Sequence, residues 1–246
     1  MLLFIFKFIS IFYYLFYNSY YTILYILFIE IKLTVFSLKF YVMLKLKDIT
    51  KPPPLPSIEQ IEYYLAKWYK LESYNYQEKA LNKLFFELCP DNKSIENILL
   101  KTVALNDFYS TNIYSIFEVA KHIESLNHIE NKSSIDERLN IGDITLVDDI
   151  KKVKIKDKEK NFYSFASKYC SHHKPVYYPI YDKYVDAVLI YFRDKDKFYN
   201  FQNKDLKEYY NFKNILLKFI EFYKLNNYCL KQIDKYIWQL GKDYFN

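Results

Sequence analysis

The sequence predicts an all-α protein, folded as a compact multi-helix orthogonal bundle. Apolar residues recur at helical spacing in most segments after residue 57, and no segment beyond residue 42 shows sustained alternation of apolar and polar residues. About half of the 246 residues are apolar (51%), which is enough to build one substantial core. Glycine occurs only twice, so the chain lacks a glycine-rich phosphate loop, and most classes of nucleotide-binding enzyme are excluded.

The composition is biased towards residues with AT-rich codons, including 28 Tyr and 21 Phe. This bias makes the abundance of aromatic residues weak evidence for base stacking. The net charge of +6 suits an anionic partner, but a solvated lysine-rich surface gives the same value. The three cysteines stand far apart without a CxxC spacing, so no disulfide framework is predicted and a reducing cytoplasm is the default location.

Residues 1–42 form a hydrophobic segment for which two interpretations remain open. No charged residue occurs from Phe8 to Ile29, a span long enough to cross a bilayer, and the lysines that follow would leave the C-terminal domain in the cytoplasm. Alternatively, Met1 is a misassigned start and the protein begins at Met43, where the composition changes. Residues 43–56 are a proline-rich lead-in, expected to be extended.

Residues 57–246 are predicted to form one all-helical globular domain. Ser57 with Gln60 is a capping-box pattern that begins a first helix, and Asn75 with Glu78 begins a second. Ser94 begins a third helix.

Further along, Thr111–Asn112 should begin a fourth helix. The insert Ala104–Ile113 between the third and fourth helices either lines a cavity or supplies turn and cap residues, and the second interpretation is favoured. Two short helices follow at Ile135–Leu139 and Asp143–Ile150.

The later part of the domain contains a charge run and two longer helices. Lys151–Lys160 (KKVKIKDKEK) is expected to be solvated surface, although its position also suits contact with phosphates. Helical periodicity returns over Tyr210–Leu225 and in a last helix that Gly241 should end in the C′ position.

Candidate functional residues converge in residues 161–189, where a helix runs into a proline-marked turn and a second helix begins after Asp182. The apolar residues of the first helix share one face, so Lys160, Lys168 and Lys174 are expected to face solvent. A carboxylate at Asp182 would accept hydrogen bonds from free backbone amides and face the positive end of the helix dipole, which keeps it ionised. A helix-capping role alone would explain equally well why an aspartate occupies this position.

This stretch resembles the helix-hairpin-helix DNA glycosylase superfamily. The segment PIYDKYV (Pro179–Val185) resembles the superfamily's Pro-Val-Asp motif with one extra residue before the aspartate, and FASK (Phe165–Lys168) resembles a helix of its archaeal 8-oxoguanine branch. The match covers about 30 residues. The glycine-rich hairpin of the superfamily is missing, and the position of its Schiff-base lysine falls nearest Asn161 or Ser164. Lys160 is adjacent and would take that position if the alignment shifted by one residue.

The resemblance implies a monofunctional DNA N-glycosylase, or an inactive relative of one, that binds duplex DNA without a cofactor or metal. Asp182 would be the catalytic carboxylate, which orients water or stabilises the oxocarbenium-like sugar. The flipped base would stack on Tyr109 or Trp238. The phosphates of the DNA would be contacted by Lys160, Lys168 and Lys174.

The alternative function is a membrane-anchored helical interaction protein without catalytic activity. This function requires residues 8–29 to span a membrane as an anchor. A membrane is expected as a partner only in that case. Cys170, His172 and His173 could bind a metal, but no distant matching pair of ligands occurs, and a metal site is not expected there.

Overall fold

A computed structural model describes residues 52–246 of the chain. This part contains ten α-helices and one two-stranded hairpin, which confirms the all-α class. The hydrophobic segment 1–42 and most of the lead-in lie outside the described residues, as does the predicted membrane anchor. No helix within residues 52–246 has both the length and the apolar character that a membrane span requires.

The helices follow one another with short connections, and their bounds are α1 (Ile58–Trp68), α2 (Glu72–Lys83), α3 (Ile95–Tyr109), α4 (Ile116–Ser125), α5 (Ile135–Ile141), α6 (Thr145–Lys151), α7 (Tyr163–His173), α8 (Lys183–Asp196), α9 (Tyr209–Phe222) and α10 (Leu230–Tyr244). A π-helical turn at Leu84–Leu88 extends α2 as far as Cys89, just before Pro90. Short 3-10 helices occupy Leu126–His128 and Asn203–Lys207.

Local capping signals set several helix starts as predicted. The Ser57 side chain accepts a hydrogen bond from the Gln60 amide at 3.3 Å, and Ser94 accepts one from the Asn97 amide at 3.3 Å. Each serine satisfies an amide that has no partner within its helix. The short helix α5 ends at Gly142, which has the left-handed φ of 70° that glycine tolerates best.

Two predicted starts are wrong. Helix α2 begins at Glu72, so Asn75 lies inside it and donates instead to the backbone oxygen of Trp68 at 2.9 Å. Helix α4 begins at Ile116 and not at Thr111–Asn112, because Ser110 and Asn112 have positive φ angles of 48° and 58° that interrupt the helical path.

The charge run Lys151–Lys160 is not merely solvated surface: most of it forms an antiparallel hairpin. Strand β1 (Lys152–Ile155) pairs with β2 (Lys158–Asn161), with Val153 opposite Lys160. Val153 is fully buried in the core, and Ile155 packs against the core. The alternation of apolar residues and lysines in KVKI was the period-2 signal that the sequence analysis missed.

Helix α10 crosses α8 and α1, and Gly241 permits the close approach to α8. A Cβ atom built on Gly241 would lie 2.6 Å from the Tyr184 Cβ and 2.8 Å from the Tyr184 backbone oxygen. Gly241 was predicted to end the last helix, but α10 continues past it to Tyr244. The glycine is therefore a packing residue and not a helix terminator.

Candidate functional site

The described residues line a cavity, partly open to solvent, of about 720 Å³ between α1, α2, the end of α3, α7, the start of α8 and α10. Four of the residues singled out in the sequence lie in its walls: Tyr109, Lys168, Asp182 and Trp238. Helices that are far apart in the chain thus bring the predicted residues together. Lys160 and Lys174 are not wall residues.

One wall of the cavity is aromatic. Tyr74 lies edge-on to Trp238, with ring centroids 5.1 Å apart, and Trp68 lies 6.0 Å from Trp238 at an angle of 77°. The Lys242 Nζ sits 4.9 Å from the Trp238 ring centroid and donates a hydrogen bond to the Tyr74 hydroxyl at 2.8 Å. This wall offers flat apolar surface beside a positive charge, which suits a planar ligand.

Asp182 occupies the N-cap of α8 as predicted. Its Oδ1 accepts hydrogen bonds from the backbone amides of Tyr184 at 2.9 Å and Val185 at 3.1 Å. Within residues 52–246 its Oδ2 has no hydrogen-bond partner. The cap thus engages one carboxylate oxygen and leaves the other available to a ligand in the cavity.

Lys168 is buried, with 3% of its surface exposed, so the prediction that it faces solvent is wrong. Helix α7 is surrounded by other elements, and ten of its eleven residues are buried. The Lys168 Nζ donates to the Ser164 Oγ at 2.5 Å and lies 5.2 Å from the Tyr109 ring centroid. Burial lowers the pKa of the Lys168 ammonium, while the nearby carboxylates of Asp182 and Asp234 oppose that shift.

Asp234 is a wall residue that the sequence analysis did not single out. It is 6% exposed, and its Oδ2 accepts a hydrogen bond from the Ile180 amide at 3.1 Å. Burial raises the pKa of the Asp234 carboxyl to about 7, against the amide of Ile180 and the charge of Lys231. The carboxyl can therefore be neutral or charged near neutral pH, which is a property common at functional sites.

A network of charged side chains joins α2 and α10 in the cavity wall. Glu78 accepts hydrogen bonds from the Lys235 Nζ at 2.7 Å and the Trp68 indole at 3.2 Å, and Lys231 lies 3.7 Å from its other oxygen. Burial acts to raise the pKa of Glu78, but the Lys235 hydrogen bond and the Lys231 charge outweigh it and lower that pKa. Glu78 thus fixes both lysines and one indole in the cavity wall.

The Tyr109 hydroxyl forms a hydrogen bond with the Nε2 atom of His172 in α7, at a distance of 2.9 Å. Burial lowers the pKa of His172 well below its ordinary value, so the imidazole is neutral and shares one hydrogen bond with the Tyr109 hydroxyl. The next residue, His173, instead contacts Lys101, with 3.2 Å between Nε2 and Nζ. Within residues 52–246, no group of three or more His, Cys, Asp or Glu side chains is arranged to hold a metal ion.

The insert between α3 and α4 has both of the roles considered for it. Thr111 donates a hydrogen bond to the Asn106 side chain at 2.8 Å, and the Asn106 Oδ1 also accepts the Ile113 amide at 2.9 Å, as in a turn. The same segment, from Phe108 to Asn112, lines the cavity.

The charges that line the cavity are predominantly positive. Five lysines and three carboxylates contribute: Lys168, Lys183, Lys231, Lys235, Lys242, Glu78, Asp182 and Asp234. A ligand that combines a planar ring with negative charge complements such a lining.

Comparison with known proteins places the chain in a family. A model of the HI_0787_N family, described as an N-terminal domain, matches residues 60–177, which include Lys168 but end before Asp182. The chain is 48% identical over 155 residues to an uncharacterized protein of Haemophilus influenzae, and the aligned part covers 63% of this chain and 71% of that protein. No solved structure matches the chain. The chain therefore belongs to the HI_0787_N family.

Proposed function

We propose that the protein binds duplex DNA and hydrolyses the N-glycosidic bond of a base held in the cavity, with Asp182 as the catalytic carboxylate. The observation that carries this proposal is the position of Asp182, whose Oδ1 caps α8 while its Oδ2 stays without a partner within residues 52–246, in the wall of an aromatic, lysine-rich cavity. Such a cavity suits a base that has been rotated out of the duplex.

The aromatic wall is the surface on which a flipped base would stack. Trp238 forms this wall with Trp68 and Tyr74, while Tyr109 lies on another side under the Lys168 ammonium. The two stacking residues predicted from the sequence line the same cavity, and Trp238 offers the larger ring. Lysines around the wall add attraction for the phosphates next to the flipped nucleotide.

The proposed reaction is the replacement of the base by water at C1′ of the sugar. The C1′–N bond breaks, its electron pair leaves with the base, and positive charge develops on the sugar ring. Asp182 stabilises this charge electrostatically and takes the proton of the attacking water, whose oxygen then bonds to C1′. The proton passes on to the departing base, so that a free base and an abasic site are the products.

The reaction is expected to leave the sugar–phosphate strand intact. The position at which the superfamily carries its Schiff-base lysine is nearest Asn161 or Ser164 here, and neither side chain can form an imine. The Lys168 Nζ donates to the Ser164 Oγ at 2.5 Å, and burial lowers the pKa of this amine. Because a buried lysine with a lowered pKa can form an imine, the requirement for alkali in the test below checks that Lys168 forms no covalent bond, as this proposal expects.

The test uses a panel of duplex oligonucleotides that each contain one modified base, with base release measured as strand cleavage after alkali. Asp182→Asn keeps a helix-capping side chain but removes the carboxylate charge, so we expect release to fall by roughly 10²- to 10⁴-fold with the fold retained. Cleavage should require alkali in every case. Asp186→Asn, in the first turn of the same helix and not a wall residue, is the matched control and should retain release.

The proposal is contradicted if no duplex of the panel releases a base, or if Asp182→Asn releases it at the rate of the parent protein. Circular dichroism and thermal unfolding of both variants separate lost chemistry from lost folding.

A further inference from the structure

The hairpin formed by β1 and β2 carries an unusual concentration of free positive charge. Within its span every second residue is a lysine with an exposed side chain: Lys152, Lys154, Lys156, Lys158 and Lys160. Within residues 52–246, none of these lysines forms a salt bridge, whereas Lys151, just before the hairpin, is buried and paired with Asp148 at 2.6 Å. The two carboxylates of the hairpin, Asp157 and Glu159, leave an excess of positive charge.

The hairpin is also firmly attached next to the cavity. Val153 is fully buried, and the Phe162 amide donates a hydrogen bond to the Lys151 oxygen at 2.8 Å, which closes the base of the hairpin. Asn161, the last residue of β2, and Phe162 both line the cavity. The lysines are therefore presented by a strand pair that is attached to the cavity wall. Lys152 and Lys154 lie on one face of the hairpin, and Lys158 and Lys160, opposite Ile155 and Val153, lie on the other.

We propose that this hairpin grips the phosphate backbone of duplex DNA and thereby holds a base over the cavity. The inference rests on the proposed function and extends it, because it transfers backbone binding from the three lysines predicted in the sequence to the hairpin. Of those three, Lys168 is buried, Lys174 is half-buried at the end of α7, and only Lys160 belongs to the hairpin. Lysines that contact phosphates release counterions from the DNA backbone without reading its sequence.

A competing explanation for the same lysines is protection of the hairpin edges. Both strands of a two-stranded sheet have an unpaired edge, and edge lysines prevent pairing with another copy of the chain. The two explanations predict different consequences when the charges are removed: loss of DNA binding in one case and self-association in the other.

The experiment measures binding of the full chain to an undamaged fluorescent duplex between about 50 and 200 mM salt. In the hairpin variant, Lys152, Lys154, Lys158 and Lys160 are replaced together by Gln. Each lost phosphate contact should reduce the slope of log K against log salt by about 0.9, so we expect a decrease of about 2 to 4 and at least a tenfold loss of affinity at the lowest salt. The matched control replaces four exposed lysines outside the cavity wall that likewise form no salt bridge within residues 52–246, namely Lys93, Lys195, Lys204 and Lys224.

A second variant distinguishes the loss of charge from misfolding of the hairpin. Lys156 has a positive φ of 55°, so Lys156→Gly removes one charge while suiting the backbone conformation. It should flatten the slope by about 0.9 and leave thermal stability equal or higher. Three outcomes would each overturn the inference. The four-lysine variant could bind duplex as tightly as the control, or it could self-associate without losing duplex binding. The parent protein could also bind phosphatidylserine vesicles but not duplex. Because the duplex is undamaged, these outcomes do not depend on base release.

Discussion

Asp234 Oδ2 accepts the backbone amide of Ile180 at 3.1 Å, and this hydrogen bond ties α10 to the segment that leads into Asp182. The bond crosses from one wall of the cavity to another, so the ionisation of Asp234 is connected to the position of the proposed catalytic residue. Burial raises the pKa of Asp234 from 3.8 to about 7, and this shift gives the protein a defined dependence of stability on pH.

Asp234→Asn should change how the free energy of unfolding varies with pH. Because the folded chain holds the Asp234 proton more tightly than the unfolded chain, this group contributes stability that is fully present below pH 3.8 and is lost as pH rises through about 7. The asparagine side chain can still accept the hydrogen bond from the Ile180 amide. We expect the variant to be more stable than the parent at pH 8, by roughly 1–4 kcal/mol, and the gain to shrink at pH 5. Urea unfolding at both pH values is the measurement, and an equal effect at the two values would contradict the assignment.

Asp182 should contribute modestly to stability through its cap. Asp182→Ala removes the acceptor for the Tyr184 and Val185 amides and should cost about 1 kcal/mol, whereas Asp182→Asn should cost much less. Thermal unfolding of the two variants checks this order. If both variants lose the same stability, then the carboxylate charge and not the hydrogen bonds dominates at the helix start.

Gly241→Ala should destabilise the protein although alanine is the better helix former. Its Cβ would meet the Tyr184 Cβ at 2.6 Å, so α8 and α10 would have to separate. Overpacking of this kind costs about 1–3 kcal/mol, which exceeds the gain of about 1 kcal/mol in helix propensity. Urea unfolding gives the difference, and a variant more stable than the parent would show that the helices can shift at little cost.

Lys101→Met should be strongly destabilising. The Lys101 side chain is fully buried, and its Nζ donates to the Asp91 backbone oxygen at 2.6 Å and the Asn92 Oδ1 at 2.7 Å. Its removal leaves the Asp91 backbone oxygen and the His173 Nε2 without this partner, while the Asn92 Oδ1 keeps only the Tyr169 hydroxyl, at a cost of about 2–4 kcal/mol. Lys93→Met, at an exposed neighbouring position, should remain within about 0.5 kcal/mol of the parent by urea unfolding.

Tryptophan fluorescence should report directly on the cavity. The chain has two tryptophans, Trp68 and Trp238, and both line it. We expect titration with free adenine or guanine, excited at the red edge of the indole band, to quench the emission as the rings stack. Trp238→Phe should remove most of the quenching. Saturable quenching by neither purine would argue against stacking on this wall.

The helix starts that the sequence predicts correctly are those determined by local capping signals. Ser57, Ser94 and Asp182 cap helices as predicted, because a capping side chain and its target amides lie within three residues. The role of Glu78 was not predictable, since its partners Lys231 and Lys235 come from α10, more than 150 residues later.

The errors concern elements whose surroundings override local pattern. Periodicity assigned one apolar face to α7, but this helix is enclosed on all sides, so Lys168, His172 and His173 are buried and hydrogen-bonded within the fold. The four-residue strands of the hairpin were hidden in a charge run, because only Val153 and Ile155 mark their inner face.

The crossing of α1 and α10 has a consequence for biosynthesis. The Gln239 side chain donates to the Tyr64 backbone oxygen at 2.8 Å, and the Tyr64 hydroxyl donates to Asp243 at 3.1 Å, so the first and last described helices are joined beside the cavity. A nascent chain that has not yet emerged from the ribosome as far as α10 lacks Asp234, Trp238 and the lysines of that wall. The cavity can thus be completed only after translation has passed Lys242, and until then Ile61 and Tyr64 of α1 lack the cover that α10 gives them in the folded chain.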